Sequence, residues 1–114
     1  MLTVDDIDAA PVAELGAAIE CHPAFPERTN VGFVRRIGPD HLALRVHERG
    51  CGETRACGTG ACAAVAVLRD RGDLGQLVRV DLPGGRLEIE WEGRGHALWM
   101  SGPARKVFEG VVEA

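Results

Sequence analysis

A chain of 114 residues has room for one domain, and with 46% hydrophobic and 26% charged residues it is too apolar to remain disordered. A net charge of −4 gives it no general attraction to nucleic acid or anionic lipid. The longest apolar run, Ala61 to Leu68, is far too short to span a bilayer, so neither nucleic acid nor membrane is an expected partner. The start, MLTVDDIDAAP, has no basic region followed by an apolar one, which argues against a secretory signal and for a cytoplasmic protein with reduced thiols.

In chain order, Val4 and Ile7 open an apolar pattern broken by Asp5 and Asp6. From Pro11 the spacing Val12, Leu15, Ile19 predicts a helix, with the proline at its start. Pro23 and Pro26 bound it and begin a loop, CHPAFPERTN. Val31 to Ile37 predicts a strand. His41 to His47 predicts a clearer one, with Leu42, Leu44 and Val46 on one face and Ala43, Arg45 and His47 on the other. A polar, glycine-rich segment, ERGCGETRACGTG, then runs into ACAAVAVLRDRG, whose small residues are apolar on all sides and predict a buried helix ending at Gly72. Leu77–Leu82 and Arg86–Trp91 predict a hairpin about Pro83-Gly84-Gly85. A third strand follows at His96–Met100, and a last one is expected within Val107–Val112. Trp91 and Trp99 read as core anchors, and Arg35-Arg36 as a solvated strand face. The fold class expected is α+β, a central buried helix wrapped by a mainly antiparallel β-sheet.

The entry to that helix carries the chemistry. Cys57 stands at its start, followed by Gly58-Thr59-Gly60. Free N–H groups at a helix N-terminus can stabilise a thiolate and hold an anionic group. A thiol beside such a cradle suits a carboxylate-bearing substrate. On the residues alone, Cys57 reads equally as a reactive thiol or a packed one. Gly58-Thr59-Gly60-Ala61-Cys62-Ala63 formally fits a dinucleotide-binding turn, but the apolar strand that should precede it is missing. The four cysteines contain no C-x-x-C pair, so no metal site is expected. Cys21 and Cys62 read as small hydrophobes, Cys51 as a loop residue, and the four histidines as non-catalytic.

The run from Glu48 to Cys62, ERGCGETRACGTGAC, closely resembles the second active-site motif of the diaminopimelate epimerases. His22–Phe33 is similar to the loop of that family that carries a substrate-binding asparagine, and Gly102–Gly110 is similar to its C-terminal pattern. The resemblance runs in order over essentially the whole chain. It implies a diaminopimelate epimerase-like fold and a cofactor-independent enzyme that interconverts LL- and meso-diaminopimelate for lysine and peptidoglycan precursor synthesis. In that family two cysteines transfer protons on opposite faces of the α-carbon. Cys57 would be one of them. Gly58 and Thr59 would hold the α-carboxylate through their amides, and Asn30, Glu48 and Arg49 would recognise the distal end.

The resemblance is to the C-terminal half alone. The motif with the first catalytic cysteine, of the type Cys-Gly-Asn-Gly, is absent. Residues 1–102 would form the epimerase-type domain, and 103–114 a terminal strand that in the family packs with the other half. By itself the chain is expected to be inactive, its partner being an N-terminal half. Three alternatives stand beside this: a homodimer that brings two Cys57 residues together, a related amino-acid racemase or isomerase, and a non-catalytic carboxylate-binding domain.

Overall fold

The period-two pattern of His41–Glu48 sets the architecture. In the computed structural model, which describes residues 1–114, that segment lies within a seven-stranded sheet. The elements are β1 (Leu2–Thr3), α1 (Val12–Glu20), β2 (Val31–Gly38), β3 (His41–Glu48), β4 (Gly52–Thr54), α2 (Gly58–Asp70), β5 (Leu77–Leu82), β6 (Gly85–Trp91) and β7 (Leu98–Ser101). Across the sheet the order is β1-β2-β3-β5-β6-β7, with β4 alongside β3. The β1–β2 and β3–β5 pairs are parallel; the others are antiparallel. The fold is therefore α+β with a mainly antiparallel sheet, as the sequence predicts.

Alternation along β3 divides the core in two. Leu42, Leu44 and Val46 are buried with Val78, Val80 and Ile89 against Ala61, Ala64, Val65 and Leu68 of α2. Burial of each large aliphatic side chain there stabilises the fold by roughly 1.5–3 kcal/mol. On the other face, Val12 of α1 packs with Val31 and Phe33 of β2, and Leu2, Val4 and Ile7 close over them. Arg45, also on that face, ties down the N-terminal segment. Its guanidinium pairs with Glu53 of β4 at 2.6 Å and donates to the carbonyls of Ile7 and Asp8 at 2.9 and 3.1 Å.

Several expectations are revised. α2 is not buried on all sides: its sheet-facing residues are, but Thr59, Ala63 and Val67 form an open face. The buried positions of α1 are Val12, Gly16 and Glu20, while Leu15 is exposed. The cause is steric. A Cβ at position 16 would lie 2.5 Å from Cβ of His47, so the helix docks on its glycine rather than on its leucine. β4 escapes periodicity because its three residues, Gly52–Thr54, hold no apolar alternation. Trp99 is 67% exposed and anchors no core; its position lies on β7, which pairs only with β6. Cys21 is exposed rather than packed. Residues 102–114 form no strand, and Val107, Phe108, Val111 and Val112 are all exposed. No helix is long and apolar enough to cross a membrane.

Candidate active site

The site grows out of a tight reversal after β3. Cys51 N–H donates to the Glu48 carbonyl at 3.2 Å, and Gly50 takes φ +79°, a left-handed conformation that glycine adopts without a Cβ clash. The turn sends β4 back along the last residues of β3, pairing Glu48 with Gly52 and Val46 with Thr54. Three residues later the chain enters α2 at Cys57.

Cys57 is the N-cap of α2, with extended backbone angles and a buried side chain. Its Sγ accepts from the Gly60 N–H at 3.3 Å and lies 3.6 Å from the Thr59 hydroxyl. The Cys57 carbonyl accepts from Ala61 N–H at 3.0 Å. The amides of Gly58 and Thr59 then remain without an acceptor within the chain, so the helix N-terminus keeps two donors in hand. A bond from N–H to sulfur strengthens as the sulfur gains negative charge.

Asn30, just before β2, joins the turn to the thiol. Its Oδ1 accepts from the Arg49 N–H at 2.7 Å, which aims its Nδ2 at Cys57 Sγ, 4.0 Å away. The Arg49 guanidinium reaches the Glu27 carbonyl at 3.3 Å and is otherwise free. Asn30, Arg49, Thr59 and Gly60 line a groove of about 520 Å³ whose floor includes Val46 and Ala64. Gly58 lies to one side, below Met100: a Cβ there would meet the Met100 thioether at 3.1 Å. Glu48 is outside the groove lining, and its carboxylate accepts from the Thr54 hydroxyl at 2.5 Å. Of the six residues singled out from sequence, then, Asn30, Arg49 and Thr59 share the groove, Cys57 and Gly58 stand at its helix end, and Glu48 is held beneath the turn.

Periodicity does not foresee two residues around this site. His47 and Glu20 are both buried and meet at 2.8 Å. The hydrogen bond with His47, then that from Gly50 N–H, holds the Glu20 carboxyl below its ordinary range. Nothing in the local sequence signals a pair separated by 27 positions. Cys62, one turn into α2, is partly buried, and desolvation pushes its thiol pKa up, which keeps it protonated and inert. No group of three or more His, Cys, Asp or Glu side chains is arranged to hold a metal ion.

Comparison with known proteins meets this geometry from a second direction. A family model described as diaminopimelate epimerase matches residues 1–107. The chain belongs to the diaminopimelate epimerase family. A diaminopimelate epimerase from Alkalilimnicola ehrlichii is 61% identical over 112 residues, which is 98% of this chain and 40% of that relative. The chain thus spans about two-fifths of the length of the epimerase it matches. Among solved structures, a phenazine biosynthesis protein of the PhzF family from Bacillus anthracis superposes with a TM-score of 0.58 over 86% of this chain and 32% of its own. A PhzC/PhzF protein from Clostridium difficile gives 0.56 over 77% and 31%. Both are 20% identical, so they bear on the fold of this epimerase-family chain alone.

Proposed function

We propose that residues 1–114 are the C-terminal catalytic half of a diaminopimelate epimerase and that Cys57 is one of its two acid–base groups. The observation that carries the reading is the meeting of Asn30 and the N-terminus of α2 at the buried Cys57 thiol, with the Arg49 N–H holding Asn30, in a chain 61% identical to a relative of that name.

In the proposed reaction the unpartnered amides of Gly58 and Thr59 bind the α-carboxylate. Cys57, as thiolate, removes the α-proton and becomes a thiol. The electron pair left on carbon delocalises into the carboxylate, where the same amides stabilise the added charge. A second thiol, outside these residues, delivers a proton to the opposite face and becomes the thiolate. The products are the inverted α-carbon and a pair of cysteines with exchanged protonation, so no cofactor takes part. Arg49 supplies a bidentate partner for the distal carboxylate, Asn30 sets the distance between that end and Cys57, and Glu48, its carboxylate on Thr54, supports the turn that presents Arg49.

The partner in this reading is an N-terminal half that covers the open face of α2 and receives residues 103–114 as an added strand. The open Ala63–Val67 face and the exposed apolar residues of the tail support it. Four free cysteines suit a reducing cytoplasm, where lysine and peptidoglycan precursors are made.

The test is deuterium wash-in at the α-carbon of diaminopimelate in D2O, followed by proton NMR. Exchange by this chain mixed with an N-terminal half, lost in Cys57→Ala, is the expected result. Exchange by the chain alone points instead to two copies sharing Cys57 residues. No exchange in any mixture of folded halves overturns the catalytic reading and leaves a carboxylate binder.

A further inference from the structure

Glu20 is placed where elementary electrostatics disfavours it. It is the last residue of α1, at the end of the helix where the dipole is negative, and its side chain is only 7% exposed. A buried carboxylate in that position must be offset by specific donors, and each donor here belongs to a segment that builds the site. One oxygen accepts from Gly50 N–H at 2.8 Å and lies 3.5 Å from the Arg28 guanidinium; the other is 2.8 Å from His47 Nε2.

These contacts interlock with those of Asn30. The consecutive amides of Arg49 and Gly50 are each held, the first by Asn30 Oδ1 and the second by Glu20. Arg28 is the one non-glycine residue with positive φ, at 61°, a conformation that costs a side-chain-bearing residue free energy and persists when its surroundings hold it. The ion pair with Glu20 acts on that residue, two positions before Asn30.

We propose that Glu20 is a positioning residue for the recognition end of the site. Its carboxylate clamps the Glu48–Cys51 turn to the Arg28–Asn30 segment, so that Arg49 and Asn30 face the groove in one fixed relation. The ligand named below rests on the epimerase reading; the clamp does not.

The experiment uses the 15N-labelled chain of residues 1–114. Amide exchange is read first, in wild type, Glu20→Met (similar length, no acceptor) and Glu20→Gln (an acceptor kept). In Glu20→Met, Gly50 N–H is expected to exchange at least about tenfold faster, the size of one lost charge-assisted bond, while Val46 and Leu44 do not change. Glu20→Gln is expected to restore most of the protection. Unchanged Gly50 exchange in Glu20→Met overturns the proposal, and so does an equal acceleration throughout β3 and α1, because that is a purely structural role.

Meso-diaminopimelate is then titrated into each protein, with lysine, which lacks the distal carboxylate, as the control. Affinity for diaminopimelate is expected to fall at least about tenfold in Glu20→Met, with lysine unaffected. Equal affinity in wild type and Glu20→Met removes the positioning role. If wild type fails to bind, the titration is repeated with the N-terminal half added; failure there too, while Gly50 responds as described, leaves the clamp standing and overturns the epimerase reading.

Discussion

The two helices lie on opposite faces of the sheet and present opposite problems at one end each. α1 finishes on a buried carboxylate set against its own dipole, and α2 begins on a buried thiol set along its dipole. At Glu20 the surroundings have supplied a histidine, a backbone amide and an arginine, so both oxygens are engaged by the chain's own groups. At Cys57 a single amide is used on the sulfur, and the next two donors stay free. A polar group whose atoms are engaged by the protein's own donors holds structure in place. One that leaves donors unspent beside an open groove is where a substrate can bind. Both ends are polar and buried, so composition alone does not separate them; the hydrogen-bond census does.

The sharpest way to break this contrast is at the thiol. Cys57→Ala is expected to lower α-proton exchange by the assembled halves by about 10²–10⁴-fold, the range for loss of a general acid–base group. The thermal midpoint should stay within a few degrees, because the side chain is small. A large fall in midpoint would make Cys57 a packing residue. Next in size is Gly16→Ala, which drives a methyl group into His47 and should cost about 1–3 kcal/mol in urea unfolding. If it costs nothing, α1 does not dock on His47, and the reason for Leu15 facing solvent disappears.

A smaller effect lies far from both helices. Asp81 is held down to about 2 by Arg86 first and by His41 as well, with contacts of 2.6 Å to each. Its depressed pKa contributes stability that is complete above about pH 4 and is lost as pH falls through about 2. Because Asp81 is 36% exposed, solvent screening reduces the contribution to about 1 kcal/mol. Arg86→Gln is expected to narrow the stability difference between pH 5 and pH 2 by about that amount. Wash-in at neutral pH should be unaffected, and a change there would place Arg86 nearer the chemistry than its position allows. Smallest of all, Trp99→Ala should shift the stability of the chain by less than about 0.5 kcal/mol, as for other exposed residues.

What can be read from residues alone follows from the range of the forces involved. β2, β3 and the β5–β6 hairpin are legible because alternation with a half-buried face is written into neighbouring residues. Cys57 and its glycine-rich entry are legible because a helix start concentrates donors within four positions. The docking face of α1 is not, since Gly16 and Glu20 look like solvent positions until His47 arrives from 27 or more residues away. Trp99 misleads for a related reason: an aromatic on a strand is a core residue only if something packs on its face. Even within the motif, Glu48 and Arg49 diverge, one turned to Thr54 and the other to the groove. Adjacent residues on a reversing strand point apart, and only the register with β4 decides which way.

The parallel pairing of β3 with β5 has a further consequence, for the order of folding. His41 sits beside Arg79, so the chain must close a loop of 38 residues, containing the whole of α2, before that ladder forms. The β2–β3 and β5–β6 hairpins close over much shorter distances and can form independently. Joining them is the long-range step, and it is the step that seats α2 between Leu44 and Ile89. Cys57 is therefore expected to gain its burial late, when the two hairpins meet. Until then Cys57 is an ordinary exposed thiol on an unseated helix. A pulse of thiol-alkylating reagent during refolding should label it early and spare it afterwards, making this one side chain a clock for the assembly of the sheet.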